Sequence, residues 1–197
     1  MDASDAALVA QARAGDGDAF RVLVERHSRK VYRLAFRLIG NEEDAEDIVQ
    51  ETFLRAYRSL ERFNEQAQFS SWIYRIASNH ALDLLRSRKR RSEQSLSAPT
   101  ADADGIAVAD RIASANPGPD RLAQGGEVQQ QIKVVLEELT PQERVAFTLR
   151  HFEGHTVEEI SSYLNVSASA TRNAVFRAVQ KVRRALQPGE GEPLWRS

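Results

Sequence analysis

The chain has no cysteine. That excludes disulfides, thiolate metal sites and cysteine nucleophiles, and it permits a reducing compartment. Charge of one sign is not in excess either: 27 Lys and Arg stand against 28 Asp and Glu, for a formal net charge of −1. A free-standing DNA binder is usually more basic, so basic patches here are local and offset by acidic segments. That balance suggests a second partner besides DNA. No apolar run is long enough to cross a bilayer, and the opening MDASDAALVAQARAGD lacks a basic-then-apolar signal pattern. A P-loop and an HExxH motif are also missing. The 197 residues, 42% hydrophobic and 28% charged, have the ordinary composition of a globular protein of one domain or two small ones.

The clearest pattern runs from Thr140 to Leu186. Thr140 is an N-cap, Pro141 suits a first helical position and Glu143 completes a capping box. The helix that follows runs towards Phe152, and Gly154 stops it. Thr156 and Glu159 repeat the capping-box spacing, so a second helix begins at Val157, with Val157, Ile160 and Leu164 on its apolar face. Asn165-Val166-Ser167 reads as a tight turn, with Ser167 capping a longer third helix. Val175, Val179, Val182 and Leu186 are expected to face inward there. Ser169, Arg172, Asn173, Phe176, Arg177, Lys181, Arg183 and Arg184 lie on the other face. A short helix, a tight turn and a longer basic helix predict a helix-turn-helix whose second helix can enter a DNA major groove. An ordinary helical hairpin with a solvated arginine face is the plainer alternative. His151 and His155 have ligand-like spacing, but Gly154 interrupts their helix.

The N-terminal half is also helical. Ser4 caps a short helix over 5–14, and a longer one starts after Asp16 and ends before Gly40. Its stripe of Phe20, Leu23, Val24, His27, Val31, Leu34, Ala35 and Leu38 is expected to be buried. His27 on that stripe reads as a core histidine. The outer face carries Arg21, Arg26, Arg29, Lys30, Arg33 and Arg37. Asn41 caps a third helix whose Glu42, Glu43 and Asp44 suit its positive end. Ala45, Ile48, Val49, Thr52, Phe53 and Tyr57 can face the core. Asp44, Asp47, Gln50 and Glu51 share a polar face with three readings. A metal-dependent enzyme is the weakest, because the Glu-x-x-His pairs of helical di-iron proteins are absent. A solvated acidic face and a docking face for a basic groove on a partner fit the spacing equally well.

A polar loop with aromatic edges follows, from Arg62 to Phe69. Ser70 or Ser71 is expected to cap a fourth helix, SSWIYRIASNHALDLLRSRKRR, with Ile73, Ile76, Ala77, His80, Ala81, Leu84 and Leu85 facing the core in part. Trp72, Tyr74 and Arg75 interleave rings and a cation, and the helix exits through Arg86, Arg88, Lys89, Arg90 and Arg91. Rings beside cations suit unstacked single-stranded bases; a core tryptophan and a solvated charge run are the plain reading of each residue alone. From Ser92 to Gly126 the chain turns to Ala, Ser, Asp, Pro and Gly, a linker composition. A helix over 127–139, with Val128, Ile132, Val135, Leu136 and Leu139 inward, opens the second half. The last ten positions form a tail. The expected fold is all-α: a domain over 1–91, a linker over 92–126, a helix-turn-helix domain over 127–187 and a tail over 188–197.

This order resembles a bacterial sigma factor of the sigma-70 family, in particular the extracytoplasmic-function group. DAEDIVQETFLRAY (44–57) is similar to the helix by which the sigma-2 domain binds the polymerase clamp. FSSWIYRIASNHALDLLR (69–86) is similar to the segment that recognises and melts the promoter −10 element. LTPQERVAFTLRHFEGHTVEEISSYLNVSASATRNAVFRAVQKVR (139–183) is similar to the sigma-4 domain that reads the −35 element. The resemblance implies a non-enzymatic, cofactor-free cytoplasmic factor that directs core RNA polymerase to promoters, with a stress response as its setting. It implies polymerase contacts from Asp44, Asp47, Ile48, Gln50, Glu51 and Phe53, on the beta-prime clamp, with the beta flap as a second surface. It implies −10 contacts from Phe63, Phe69, Ser71, Trp72, Tyr74, Arg75, Asn79 and Arg86. It implies −35 contacts from Ser169, Thr171, Arg172, Asn173, Phe176, Arg177 and Lys181. An anti-sigma factor is a further implied partner, and no membrane insertion is implied. A stand-alone helix-turn-helix regulator is the rival reading. One departure stands out. Where many members carry Gly-Thr-Val, then Lys or Arg, Ser and Arg, this chain has Ser169-Ala170-Thr171-Arg172-Asn173-Ala174. Ala174 is thus expected to remove a usual cation, and Asn173 to alter a base-reaching position.

Overall fold

A computed structural model of the protein describes residues 3–64, 67–97, 136 and 138–186. The N-terminal elements are α1 (Asp5–Arg13), α2 (Gly17–Ile39), α3 (Glu42–Arg58), a short 3-10 turn (Leu60–Arg62) and α4 (Phe69–Ser97). The C-terminal elements are α5 (Pro141–His151), α6 (Val157–Leu164) and α7 (Ala168–Leu186). Each early helix begins on an oxygen that satisfies otherwise orphaned amides. Ser4 accepts from the Ala7 amide, Asp16 from Asp18 and Ala19, and Asn41 from Asp44. Both expected capping boxes form, Thr140 with Glu143 and Thr156 with Glu159. Gly40 ends α2 at φ 76°, a left-handed conformation that a side chain disfavours.

Helix α2 is the spine of the first unit, packing on α1, α3 and α4. Leu23, Val31, Leu34, Ala35 and Leu38 on α2 are buried with Ala45, Ile48, Phe53 and Ala56 of α3 and Ile73, Ala77 and Ala81 of α4. In the second unit α5 and α6 pack on α7, and Val145, Leu149, Ile160 and Leu164 are buried. The two units meet: α4 packs on α5 and α6 as well as on α2 and α3, and one buried cluster runs through both.

Several expectations need correction. Helix α4 starts at Phe69, so Ser70 and Ser71 lie inside it rather than capping it, and it runs past the arginine-rich stretch to Ser97. The first residues of the expected linker are therefore helical. Residues 98–126 and the tail at 188–197 lie outside the described residues, as does most of the helix expected over 127–139. Tyr57 is 55% exposed rather than in the core. On α7 the inward stripe is Thr171, Ala174 and Ala178. Val175, Val179 and Val182 are half-buried beside it, and the Leu186 side chain lies outside the description. Small residues won the inner face because α7 lies against both α5 and α6.

The turn after α3 is held from outside. Arg13 at the end of α1 donates from Nε to the Leu60 carbonyl at 3.0 Å and from Nη2 to the Glu61 carbonyl at 3.0 Å and to the Phe63 carbonyl. Phe63 then packs on Trp72 with ring centroids 4.8 Å apart and on Phe69 at 5.9 Å. One guanidinium thus fixes the carbonyls of the turn that carries the aromatic cluster. Arg13→Met is expected to lower unfolding stability by about 2 kcal/mol, the scale of charged hydrogen bonds left unmade. It should also broaden the near-ultraviolet circular dichroism of Trp72, measured alongside urea denaturation.

Candidate nucleic-acid and polymerase interfaces

The helix-turn-helix presents a defined outer face. Asn165 takes the left-handed conformation (φ 51°) that lets the chain reverse after α6, and Ser167 Oγ accepts from the Ala170 amide at 3.1 Å to start α7. Ser169, Arg172 and Asn173 are exposed, and Phe176 is 64% exposed. Thr171, expected among the DNA contacts, is 1% exposed and belongs to the core. Ala174 is also 1% exposed, so a cation there would have to enter the core rather than reach DNA.

Arg177 and Lys181 are tied down by a residue that the sequence reading took only as a cap. Glu143 of α5 is 2% exposed, and its carboxylate accepts from Arg177 Nε at 2.9 Å and Lys181 Nζ at 2.7 Å, as well as from the Thr140 amide. Burial pushes the Glu143 carboxyl up, but the Lys181 ammonium, the Thr140 amide and the Arg177 guanidinium outweigh it and hold it down at about 2. A folded-state value below the ordinary one means that this stabilisation is present above about pH 4.5 and is lost as pH falls towards about 2. Lysine and arginine four residues apart, opposite a capping-box glutamate, were the available signal. Glu143→Gln is expected to cost about 2 kcal/mol near neutral pH, less than a fully buried pair because both cations can regain water. The difference from the unsubstituted protein should shrink as urea melts are taken from pH 5 towards pH 2.

The acidic face of α3 splits into two parts. Asp47 and Gln50 are exposed. Asp44 pairs with Arg88 of α4 at 2.5 Å, and Glu51 with Arg55 at 2.6 Å. Ile48 and Phe53, expected at the polymerase surface, are 0% and 6% exposed and support α3 from beneath.

The aromatic segment behaves differently from a row of open rings. Phe63 and Phe69 are 6% and 3% exposed and pack with Trp72 and His27. They form the inner side of the loop and are corrected from open stacking surfaces to walls. Arg75 is exposed, and Arg86 lies 3.7 Å from Asp83. Ser71, Tyr74 and Asn79 face the second unit. The Tyr74 hydroxyl donates to Glu153 at 3.1 Å, and its ring meets His155 edge-on at 5.0 Å. Asn79 Nδ2 donates to the Tyr163 carbonyl at 2.7 Å. Arg37 pairs with Glu153 and sits 5.5 Å from the Phe152 ring centroid. Burial, with the Glu153 charge added, pushes the Tyr74 phenol up to about 12. His27 is buried, as expected of a core histidine, and contacts Asp5 at 2.7 Å. His155 lies between Tyr74 and Tyr163, and no group of three or more His, Asp or Glu suited to a metal occurs among the described residues.

An aromatic and cationic helical unit joined to a helix-turn-helix defines a two-module DNA-engaging protein. Comparison with known proteins agrees. Sigma-70 region 2 matches residues 23–91, and sigma-70 region 4 matches residues 129–182. The chain is 30% identical over 179 residues to the ECF RNA polymerase sigma factor SigW of Bacillus subtilis, covering 91% of this chain and 95% of that one. It is 33% identical over 184 residues to the RNA polymerase sigma-H factor of Pseudomonas aeruginosa, covering 93% and 94%. It is 33% identical over 190 residues to the ECF RNA polymerase sigma-E factor of Escherichia coli, covering 94% and 95%. Among solved structures, CnrH in complex with the cytosolic domain of CnrY superposes with a TM-score of 0.62 at 23% identity, covering 92% of this chain and 96% of that one. RpoE of Bartonella quintana, solved with the anti-sigma factor NepR, gives 0.59 at 19% identity, covering 86% and 98%. The chain belongs to the extracytoplasmic-function group of the sigma-70 family. Its work is to direct core RNA polymerase to promoter DNA and begin transcription there. Among the described residues, no helix is long and apolar enough to cross a membrane.

Proposed function

We propose a division of labour among three surfaces. Residues 1–91 are the sigma-2 domain, 127–187 the sigma-4 domain, and 92–126, whose first six residues extend α4, join them. The exposed Asp47 and Gln50 of α3, flanked by Asp44 and Glu51, dock on the basic beta-prime clamp. Trp72, Tyr74, Arg75, Asn79 and Arg86 of α4, with Ser71, meet the melted −10 strand. Ser169, Arg172, Asn173, Phe176 and Arg177 read the −35 duplex, where a good bidentate pair is worth about 1–3 kcal/mol of discrimination. The sigma-4 unit also meets the beta flap. The chain works in the cytoplasm without bond chemistry of its own, in an environmental or envelope stress response, and an anti-sigma factor holds it in reserve. The observation that carries this reading is the exposed polar pair Asp47 and Gln50 on α3, on a helix whose Ala45, Ile48, Thr52, Phe53 and Ala56 are buried in the core.

The contact between the units bears on the same mechanism. Glu153 and Tyr163 occupy the polar groups of Tyr74 and Asn79, and Glu153 also takes Arg37. A carboxylate there holds the hydroxyl and guanidinium that a DNA phosphate would otherwise take. The free chain therefore grips promoter DNA poorly until polymerase draws the units apart.

Two measurements test these points. Asp47→Arg is expected to abolish co-purification with core polymerase and promoter-dependent transcription in vitro while leaving the circular dichroism melt unchanged. Retained co-purification would defeat the docking assignment. Glu153→Ala is expected to raise the affinity of the free chain for a single-stranded −10 oligonucleotide about fivefold, the loss of one charged contact that favours the closed state. Fluorescence anisotropy at low salt reads this directly.

A further inference from the structure

We propose that Glu143 is a positioning residue for −35 recognition. It holds the Arg177 guanidinium by one nitrogen, leaving the rest of the fork for a base edge, and it withholds the Lys181 ammonium from the DNA phosphates. The inference rests on the −35 reading above and adds how the discrimination of α7 is set from α5.

Glu143 lies on α5, outside the helix-turn-helix pair, and its side chain is buried. Its Oε1 accepts from Arg177 Nε at 2.9 Å. Its Oε2 accepts from Lys181 Nζ at 2.7 Å and from the Thr140 amide at 3.0 Å. The two cations stand four positions apart on α7, so they share a face and one carboxylate reaches both. They are not equally placed. The Arg177 side chain is 59% exposed and that of Lys181 is 32%. Lys181 Nζ also donates to the Glu138 carbonyl at 3.1 Å, so two of its three protons are taken within the protein.

The consequences for DNA differ between the two. A guanidinium carries five N–H groups, and Arg177 gives only the one on Nε to Glu143. Among the described residues, Nη1 and Nη2 have no partner. Arginine takes the O6 and N7 of a guanine through two such donors side by side. A fork held at its base therefore meets the groove already aimed. Lysine is a point charge on a flexible stem, and it meets any phosphate whatever the sequence. A loose Lys181 would strengthen binding to every duplex alike. Tying it to Glu143 removes that indiscriminate contribution.

Glu143→Gln separates this role from the cap. Glutamine also completes a capping box, so Thr140 keeps its partner. Its side chain has one acceptor oxygen and one donor nitrogen, and that oxygen cannot serve the Thr140 amide and both cations. The charge that drew the cations in is lost as well. Arg177 is then free to change direction, and Lys181 is free to reach a phosphate.

The test uses holoenzyme assembled from the full chain and core polymerase. A −35 sequence is selected from duplexes randomised at that element. Affinity is then measured over a range of salt for the selected promoter and for one with the element scrambled. Arg177→Ala is the reference and should lower the preference about tenfold, the scale of one bidentate pair. If it keeps the full preference, the −35 assignment of Arg177 is wrong and the role of Glu143 falls with it. Glu143→Gln is expected to lower the preference by the same factor of about ten. It should also steepen the slope of log affinity against log salt on the scrambled promoter by about 0.9, one added phosphate contact. Adding Lys181→Met to Glu143→Gln should restore the original slope, and Lys181→Met alone should leave the slope unchanged. A glutamate that only stabilised the fold would move neither reading in a folded protein. A folded Glu143→Gln protein that keeps the full preference overturns the positioning, and one that keeps the slope overturns the withholding. The withholding also falls if Lys181→Met alone flattens the slope by about 0.9. Arg177→Lys covers the case in which Glu143→Gln melts early. Its single nitrogen keeps the charge but cannot hold Glu143 and offer a fork together, so the preference should fall about tenfold. A retained preference there overturns the positioning.

Discussion

Helix α4 is buried on two sides, and that double burial sets the rest of the arrangement. One stripe, Ile73, Ala77 and Ala81, packs with the first unit. A second runs through Ser71, Tyr74, Ser78 and Leu82 at helical spacing, and Ser78 and Leu82 are fully or nearly fully buried. Ser71 and Tyr74 on that stripe, with Asn79 beside it, reach the C-terminal unit through Tyr163, Glu153 and His155. Two packed stripes about 100° apart leave one outward side of α4. Arg75 and Arg86 lie on it, while Tyr74 and Asn79 are shared with the second unit. The surface proposed for the −10 strand and the surface joining the units are therefore partly the same surface.

Carboxylates organise the cations throughout. Glu143 gathers Arg177 and Lys181, Glu153 takes Arg37, Asp5 takes Arg26, and Asp44 takes Arg88. This is how a chain of net charge −1 still offers basic faces. The acids are spent inside or between elements, and the outward face of α7 keeps Arg172 and Arg177 toward solvent. Holding Arg177 by a buried carboxylate also fixes its direction. A guanidinium already placed loses less side-chain freedom when it meets a ligand, and for that reason prior order favours binding.

The helices were legible because their punctuation is local. Ser4, Asp16, Asn41, Thr140 and Thr156 all cap where their side-chain chemistry predicts, and Gly40 and Gly154 take the positive φ that ends a helix. The stripe of α2 was legible for the same reason: one amphipathic period, one core. What failed was any residue whose fate depends on a second neighbour. Ile48 and Phe53 carry both a family role and a core role, and burial decided between them. Phe63 and Phe69 look like open rings along the sequence, but Arg13 folds the turn so that they close on Trp72. Asp5 stands in the first turn of α1, and only the fold brings Arg26 and His27 to it. Glu153 sits in a loop with no periodic signal, and its partners lie 116 residues away on α2 and 79 residues away in α4.

The recognition helix shows how far a family pattern can be carried. Matching by position makes Ala174 a lost DNA cation. Matching by burial gives a different answer, because Ala174 lies with Thr171 and Ala178 on the face packed against the second unit's core. Small side chains there let α7 sit close to its neighbours, and a longer one would overpack the contact. The departures on the exposed face are Ser169 and Asn173, beside Arg172 and Phe176. Asparagine both donates and accepts and suits an adenine edge, whereas serine is indifferent among bases. Ala174 therefore serves the packing of α7, and Asn173 is left on the outward face beside Arg172 and Phe176.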